Sequence, residues 1–111
     1  MAYDEQLAAR VSDLVHARPG VRERKMFGGL GWTLNGNMAV GIMRTDHLCV
    51  RLPPEEVDEA IRTPFVHEFG RPGTKPMKGF VLVEPAGLED DATLADWIER
   101  GVARALDLPA K

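Results

Sequence analysis

Cys49 and His47 stand two residues apart in an alternating apolar run, so on a β-strand their side chains share one face. A thiol beside an imidazole is the smallest set that supports nucleophilic catalysis: the base removes a proton and the thiolate attacks. A free cysteine among alternating apolar residues is more ordinarily a small core residue. A cysteine-dependent enzyme built on Cys49 and His47 is therefore the last of three functional alternatives. Ser12 is the only serine, and it lies in a helical pattern with no triad or nucleophile-elbow motif around it. His16, His47 and His67 never fall at a metal-ligand spacing. Because Cys49 is the only cysteine, neither an intramolecular disulfide nor a Cys-x-x-Cys site is available. His67, between Phe65 and Phe69, reads as a packed, hydrogen-bonded histidine on an inward strand face. The runs Glu55-Glu56 and Glu89-Asp90-Asp91 lack the alternating oxygen ligands of a calcium loop, and both suit the start of a helix. Gly28-Gly29-Leu30-Gly31 follows a strand pattern but leads into another strand, so it matches neither a dinucleotide fingerprint nor a P-loop. A turn or bulge explains these glycines. No catalytic residue, cofactor or metal is expected.

The basic residues carry more information. The 111-residue chain has a net charge of −3, which argues against a bulk polyanion binder. The charge is segregated, however. Residues 21–51 hold five basic and two acidic groups, and residues 70–83 hold three basic and none acidic. Arg22, Arg24 and Lys25 in the first segment and Arg71, Lys75 and Lys78 in the second form an anion-binding patch if the two segments meet. Aromatic residues are only 6% of the chain, too few for a run of base-stacking platforms. An acidic protein partner is therefore favoured over nucleic acid, which remains the second alternative.

These groups must be positioned by about one domain's worth of chain. Residues 4–18 read as an amphipathic helix with Leu7, Val11, Leu14 and Val15 on its inner stripe, Asp4 as cap and Pro19-Gly20 as stop. The period then changes to two. Leu30, Trp32 and Leu34, then Met38, Val40 and Ile42, then Leu48, Val50 and Leu52 mark three strands, with residues 21–27 a candidate fourth. Asn35-Gly36 is a hairpin signal. A two-residue loop would pair Trp32 with Ala39 and split the apolar sets between faces. A three-residue loop, Leu34-Asn35-Gly36, pairs Trp32 with Met38 and Leu30 with Val40, and is preferred on that ground.

Pro53-Pro54-Glu55-Glu56 opens a second helix whose stripe is Val57, Ala60 and Ile61. Phe65, His67 and Phe69 form the inward set of a short strand. Residues 70–79 are a turn-rich loop, Phe80 to Glu84 is a strand, and a last helix carries Leu94, Trp97, Ile98, Val102, Ala105 and Leu106 inward. The result is an α+β fold in two layers: an antiparallel sheet of about five strands, order α-β3-α-β2-α, with the helices on one face. No apolar run is long enough to span a membrane and the N-terminus has no signal-peptide pattern, so a cytoplasmic protein without a membrane partner is expected.

Met1-Ala-Tyr-Asp-Glu, Arg24-Lys25-Met26-Phe27-Gly28-Gly29, Asn35-Gly36 and Pro76-Met77-Lys78-Gly79-Phe80-Val81, followed by the 94–108 helix, occur in an order that resembles the TfoX/Sxy N-terminal domain family. The stretch from Lys25 to Gly29 is the most specific part and Met77 to Phe80 the second; the likeness covers nearly the whole chain. Met26, Phe27, Gly28, Gly29, Asn35, Gly36, Met77, Gly79 and Phe80 are read as residues that serve the fold. The resemblance implies a bacterial regulatory module, since full-length members control natural competence at transcription alongside the cAMP receptor protein. Such proteins carry a second, C-terminal domain, and this chain is expected to be a stand-alone N-terminal domain. The family fold looks like that of type III secretion chaperones, whose relatives dimerise and bind other proteins. Transcription machinery as partner and a homodimer are the corresponding expectations, and the family brings no established catalytic residues.

Overall fold

Asp4 starts the first helix by accepting the Gln6 amide at 2.9 Å, so α1 runs Glu5–Val15 with Leu7, Val11 and Val15 buried. The helix ends three residues short of the expected Arg18. Arg18 precedes Pro19, which disfavours helical backbone there, and the chain leaves through a turn closed by the Arg18 amide on the Val15 carbonyl. A computed structural model describes residues 3–26, 28–43, 45–69 and 79–110. After α1 come β1 (Val21–Met26), β2 (Gly29–Leu34), β3 (Asn37–Ile42) and β4 (Leu48–Arg51), then α2 (Pro54–Ala60), β5 (Val66–Glu68), β6 (Phe80–Val83), a 3-10 turn (Pro85–Leu88) and α3 (Asp91–Asp107).

The strands form one antiparallel sheet in the order β1-β2-β3-β4-β6-β5. The α+β class holds, with six strands among the described residues rather than about five. The added strand is β1, whose Val-Arg-Glu-Arg-Lys-Met sequence is exposed or half-buried throughout, so it carries little apolar alternation.

The first hairpin differs from the three-residue loop expected. Asn35 and Gly36 both have positive φ, 52° and 86°, the signature of a two-residue type I′ turn, and Leu34 pairs with Asn37. Thr33 then pairs with Met38 and Trp32 with Val40, so Ala39 has no partner on β2. Trp32–Met38 and Leu30–Val40 do not pair. The single-residue bulge restores the face that the loop was expected to preserve: Leu34 on the turn side of it and Leu30, Trp32, Val40 and Ile42 beyond it are all buried together. Asn37 thereby occupies an inward position, 2% exposed, and its side-chain amide donates to the Pro109 carbonyl at 2.9 Å. Asn37→Ala removes the bond that holds the C-terminus to the sheet. It is expected to cost about 1 kcal/mol, read as a lower urea midpoint at unchanged slope.

β5 also inverts an expectation. Val66, not the Phe65, His67 and Phe69 set, faces the core and is 4% exposed. His67 is exposed, and its ring Nε2 meets the Glu84 carboxylate rather than packing in the interior. The alternation was legible, but β5 joins at the sheet's far edge through β6, and that pairing decides which face the core covers.

In α3, Asp90 caps the Thr93 amide at 3.0 Å. Leu94, Trp97, Ile98, Gly101, Val102 and Ala105 are buried. Leu106 lies about 100° further round than Ala105 and is exposed, as is Leu14 beside Val15 in α1. Arg10 ties α1 to this end of the molecule, donating to the Leu88 carbonyl and to Asp91. The helices cover one face of the sheet, α3 against β2, β3 and β4 and α2 near β6.

Candidate binding face

Side chains alternate along each strand, so the residues between the core positions point to the face that no described helix covers. One cross-strand row runs Arg24, Gly31, Gly41, Cys49, Leu82 and His67. A second begins Arg22, Thr33 and Met38. An antiparallel sheet with one wet face normally turns charged and polar side chains outward. Here the centre of that face is glycine, methionine and cysteine instead. β2 is buried along its whole length although helices cover only one of its faces.

The reason lies in two pairs. A Cβ on Gly31 would stand 2.5 Å from the Met26 sulfur, and one on Gly41 would stand 2.7 Å from the Met38 methyl. The two thioethers therefore lie over the bare backbone and form a deformable apolar floor. The floor belongs to an open trough of about 890 Å³, with Arg22 and Arg24 on one wall and Arg51, Phe69 and Phe80 on the other. The Arg51 guanidinium lies over the Phe80 ring at 5.2 Å, and the Phe69 and Phe80 rings meet at 5.9 Å. Burial, and next the Arg104 charge, lower the Arg51 pKa from its ordinary value, yet an arginine so placed stays charged. Among the described residues, the ion pairs use Arg10, Arg18, His67 and Arg100, and none involves Arg22, Arg24 or Arg51.

The expected patch is thus assembled in part. Arg22 and Arg24 share the trough wall. Lys25, the residue after Arg24, alternates to the other face of the sheet edge, opposite Leu30. Arg71, Lys75, Lys78, Met77 and Phe27 lie outside the described residues. Arg51 is the member that sequence reasoning missed. Its signal was present: it stands two residues after Cys49 on the same strand face. Of the fold residues, Met26 makes the floor. Gly28 and Gly79 take positive φ, 76° and 85°, and the Gly79 carbonyl accepts the Leu52 amide. Phe80, assigned to the fold, also lines the trough.

Cys49 sits at the bottom of the face, 1% exposed, and burial pushes its thiol up to about 12. The His47 ring Nδ1 lies 3.2 Å from the Thr45 carbonyl, and among the described residues no hydrogen bond joins it to Cys49. At neutral pH the thiolate population is negligible, and attack needs the thiolate. Cys49 is expected to react with a disulfide reagent far more slowly than a free thiol near neutral pH. Its rate should begin to rise only well above the pH where an ordinary cysteine ionises, and unfolding should release it; a rapid reaction in the native protein would contradict this placement. Among the described residues no group of three His, Cys, Asp or Glu side chains is placed to hold a metal ion, and no helix is long and apolar enough to cross a membrane.

The family model described as the TfoX N-terminal domain matches residues 13–105, which takes in all the described strands, α2, the last turn of α1 and all of α3 but its final two residues. No curated protein matches the chain.

Proposed function

The chain belongs to the TfoX N-terminal domain family, and on that premise we propose that it is a small non-enzymatic binding and regulatory module that engages a protein partner in the cytoplasm through its open sheet face. The observation that supports this most is the face itself: three arginines without an ion-pair partner among the described residues surround an apolar floor that no described helix covers. Charged walls steer and orient a partner, and the apolar floor supplies contact area. The experiment is affinity capture from lysate with the wild type and with an Arg24→Glu, Arg51→Glu double variant, each with and without nuclease. Arg24 is exposed and Arg51 is half-buried at the trough wall, outside the apolar core, so the fold is expected to survive, checked by circular dichroism, while capture is lost. Capture unchanged by both reversals removes this face from consideration.

The same arginines and the Arg51–Phe80 stack support nucleic-acid binding as a second reading. It predicts capture that nuclease abolishes and that weakens steeply with salt.

A further inference from the structure

We infer that the open face seats an α-helix of the partner protein, one that carries acidic side chains on both flanks of a narrow apolar stripe; the inference rests on the binding-module reading above. Its first support is width. Arg22 and Arg24 are on β1 and Arg51 is on β4, three strands away in the sheet order. Strands lie about 4.8 Å apart, so the two arginine walls rise from backbones about 14 Å apart. An α-helix with its side chains is about 10–12 Å across and fills that span. A single extended strand is less than half as wide and leaves one wall unanswered.

The second support is pitch. Arg22 and Arg24 are two strand residues apart, about 6.6 Å along β1. Acidic residues four apart on a helix are about 6.0 Å apart along its axis. One flank of the helix therefore presents two carboxylates in step with two guanidiniums, and the other flank reaches Arg51. The third support is the floor. Gly31 and Gly41 hold no side chain, and the covering Met26 and Met38 thioethers are flexible, so a helix can approach closely and the methionines can adjust to its stripe. The charge is complementary in the same sense, since arginine forms forked bonds to carboxylates.

The probe is a stapled helical peptide of about five turns, with alanine and leucine on one stripe and glutamate on both flanks, titrated while amide NMR shifts are followed. Three comparisons accompany it: the same helix with glutamine flanks, a proline-broken extended peptide of the same acidic content, and a short single-stranded DNA. The expected result is that the glutamate helix moves the amides of Gly31, Gly41 and Cys49 and binds about tenfold or more tighter than the glutamine helix. The Arg24→Glu, Arg51→Glu variant should lose that binding and regain it with a lysine-flanked helix, a reversal that a merely structural role for the arginines would not produce. The inference is overturned if the glutamate helix leaves those amides unmoved at about 1 mM, if the extended peptide or the DNA binds more tightly, or if the wild type sediments as a dimer that the Arg24→Glu, Arg51→Glu variant dissolves. If the helix fails while lysate capture still depends on Arg24 and Arg51, the binding-module reading stands and only the helical partner falls. If neither depends on the arginines, both fall.

Discussion

Trp32→Ala is expected to destabilise the protein by about 3–5 kcal/mol, the cost of emptying a large buried aromatic site. Trp32 is 2% exposed and is among the largest fully enclosed side chains of the core. It stands on β2, between the edge strand β1 and the bulged strand β3, so two neighbouring strands lose packing when it is cut back. Its indole Nε1 also donates to the Glu23 Oε1 at 3.1 Å, which holds the edge strand at the middle of its length. A domain of this size has a total stability of about 5–15 kcal/mol, so the variant loses from about a fifth of it to all of it. The measurement is equilibrium urea unfolding, with a midpoint shifted far down at unchanged slope. Trp32→Phe separates the two contributions: it keeps most of the volume and loses the bond to Glu23, with an expected cost of about 1 kcal/mol. Equal midpoints for Trp32→Ala and the wild type would mean that the residue does not fill the core as described.

Gly101→Ala is the second large effect, and its interest lies in the sign. In an exposed helix this exchange stabilises by about 1 kcal/mol, because alanine is the better helix former. At Gly101 the added Cβ would stand 2.5 Å from the Ala39 carbonyl oxygen and 2.7 Å from a Val40 methyl. The carbonyl is backbone and cannot swing aside, so α3 must lift from the sheet. Overpacking of this kind costs about 1–3 kcal/mol and overrides the propensity gain. The expected observation is a clear fall in melting temperature. A rise would show that α3 does not sit as close to β3 as the contact requires. Ala39 is also the unpaired residue of the bulge, so the irregularity that repairs the hairpin register also supplies the carbonyl against which α3 rests.

These two sites mark where sequence reasoning succeeded and where it stopped. Trp32 reads as an inward residue from alternation alone, and α3's stripe from Leu94 to Ala105 from helical spacing. The bulge at Ala39 was not legible. The requirement it satisfies, one continuous apolar face, is plain in the sequence, but a longer turn meets the same requirement, and only the type I′ preference of Asn35-Gly36 separates the two. Gly101 reads as a weak point in a helix until a backbone carbonyl is placed against it. In β5, Phe65, His67 and Phe69 do alternate with Val66 and Glu68, but the apolar-looking set lies away from the core, because three residues offer too little pattern to say which face is covered.

The chain's own residues determined the class, the order of the elements and where the helices start. Each of these depends on groups within about four positions of one another: a side-chain cap on a nearby amide, a proline against the preceding turn, a period of two or of 3.6. They also separated the acidic helices from the basic strand segments. Only the tertiary structure decided that Arg22 and Arg24 share a trough with Arg51. That outcome rests on strand order and register across three neighbours, and on a sheet having two faces of which the helices cover one. Contacts between residues so far apart in the chain are set by how the whole apolar surface is buried at once, and no local pattern records that choice.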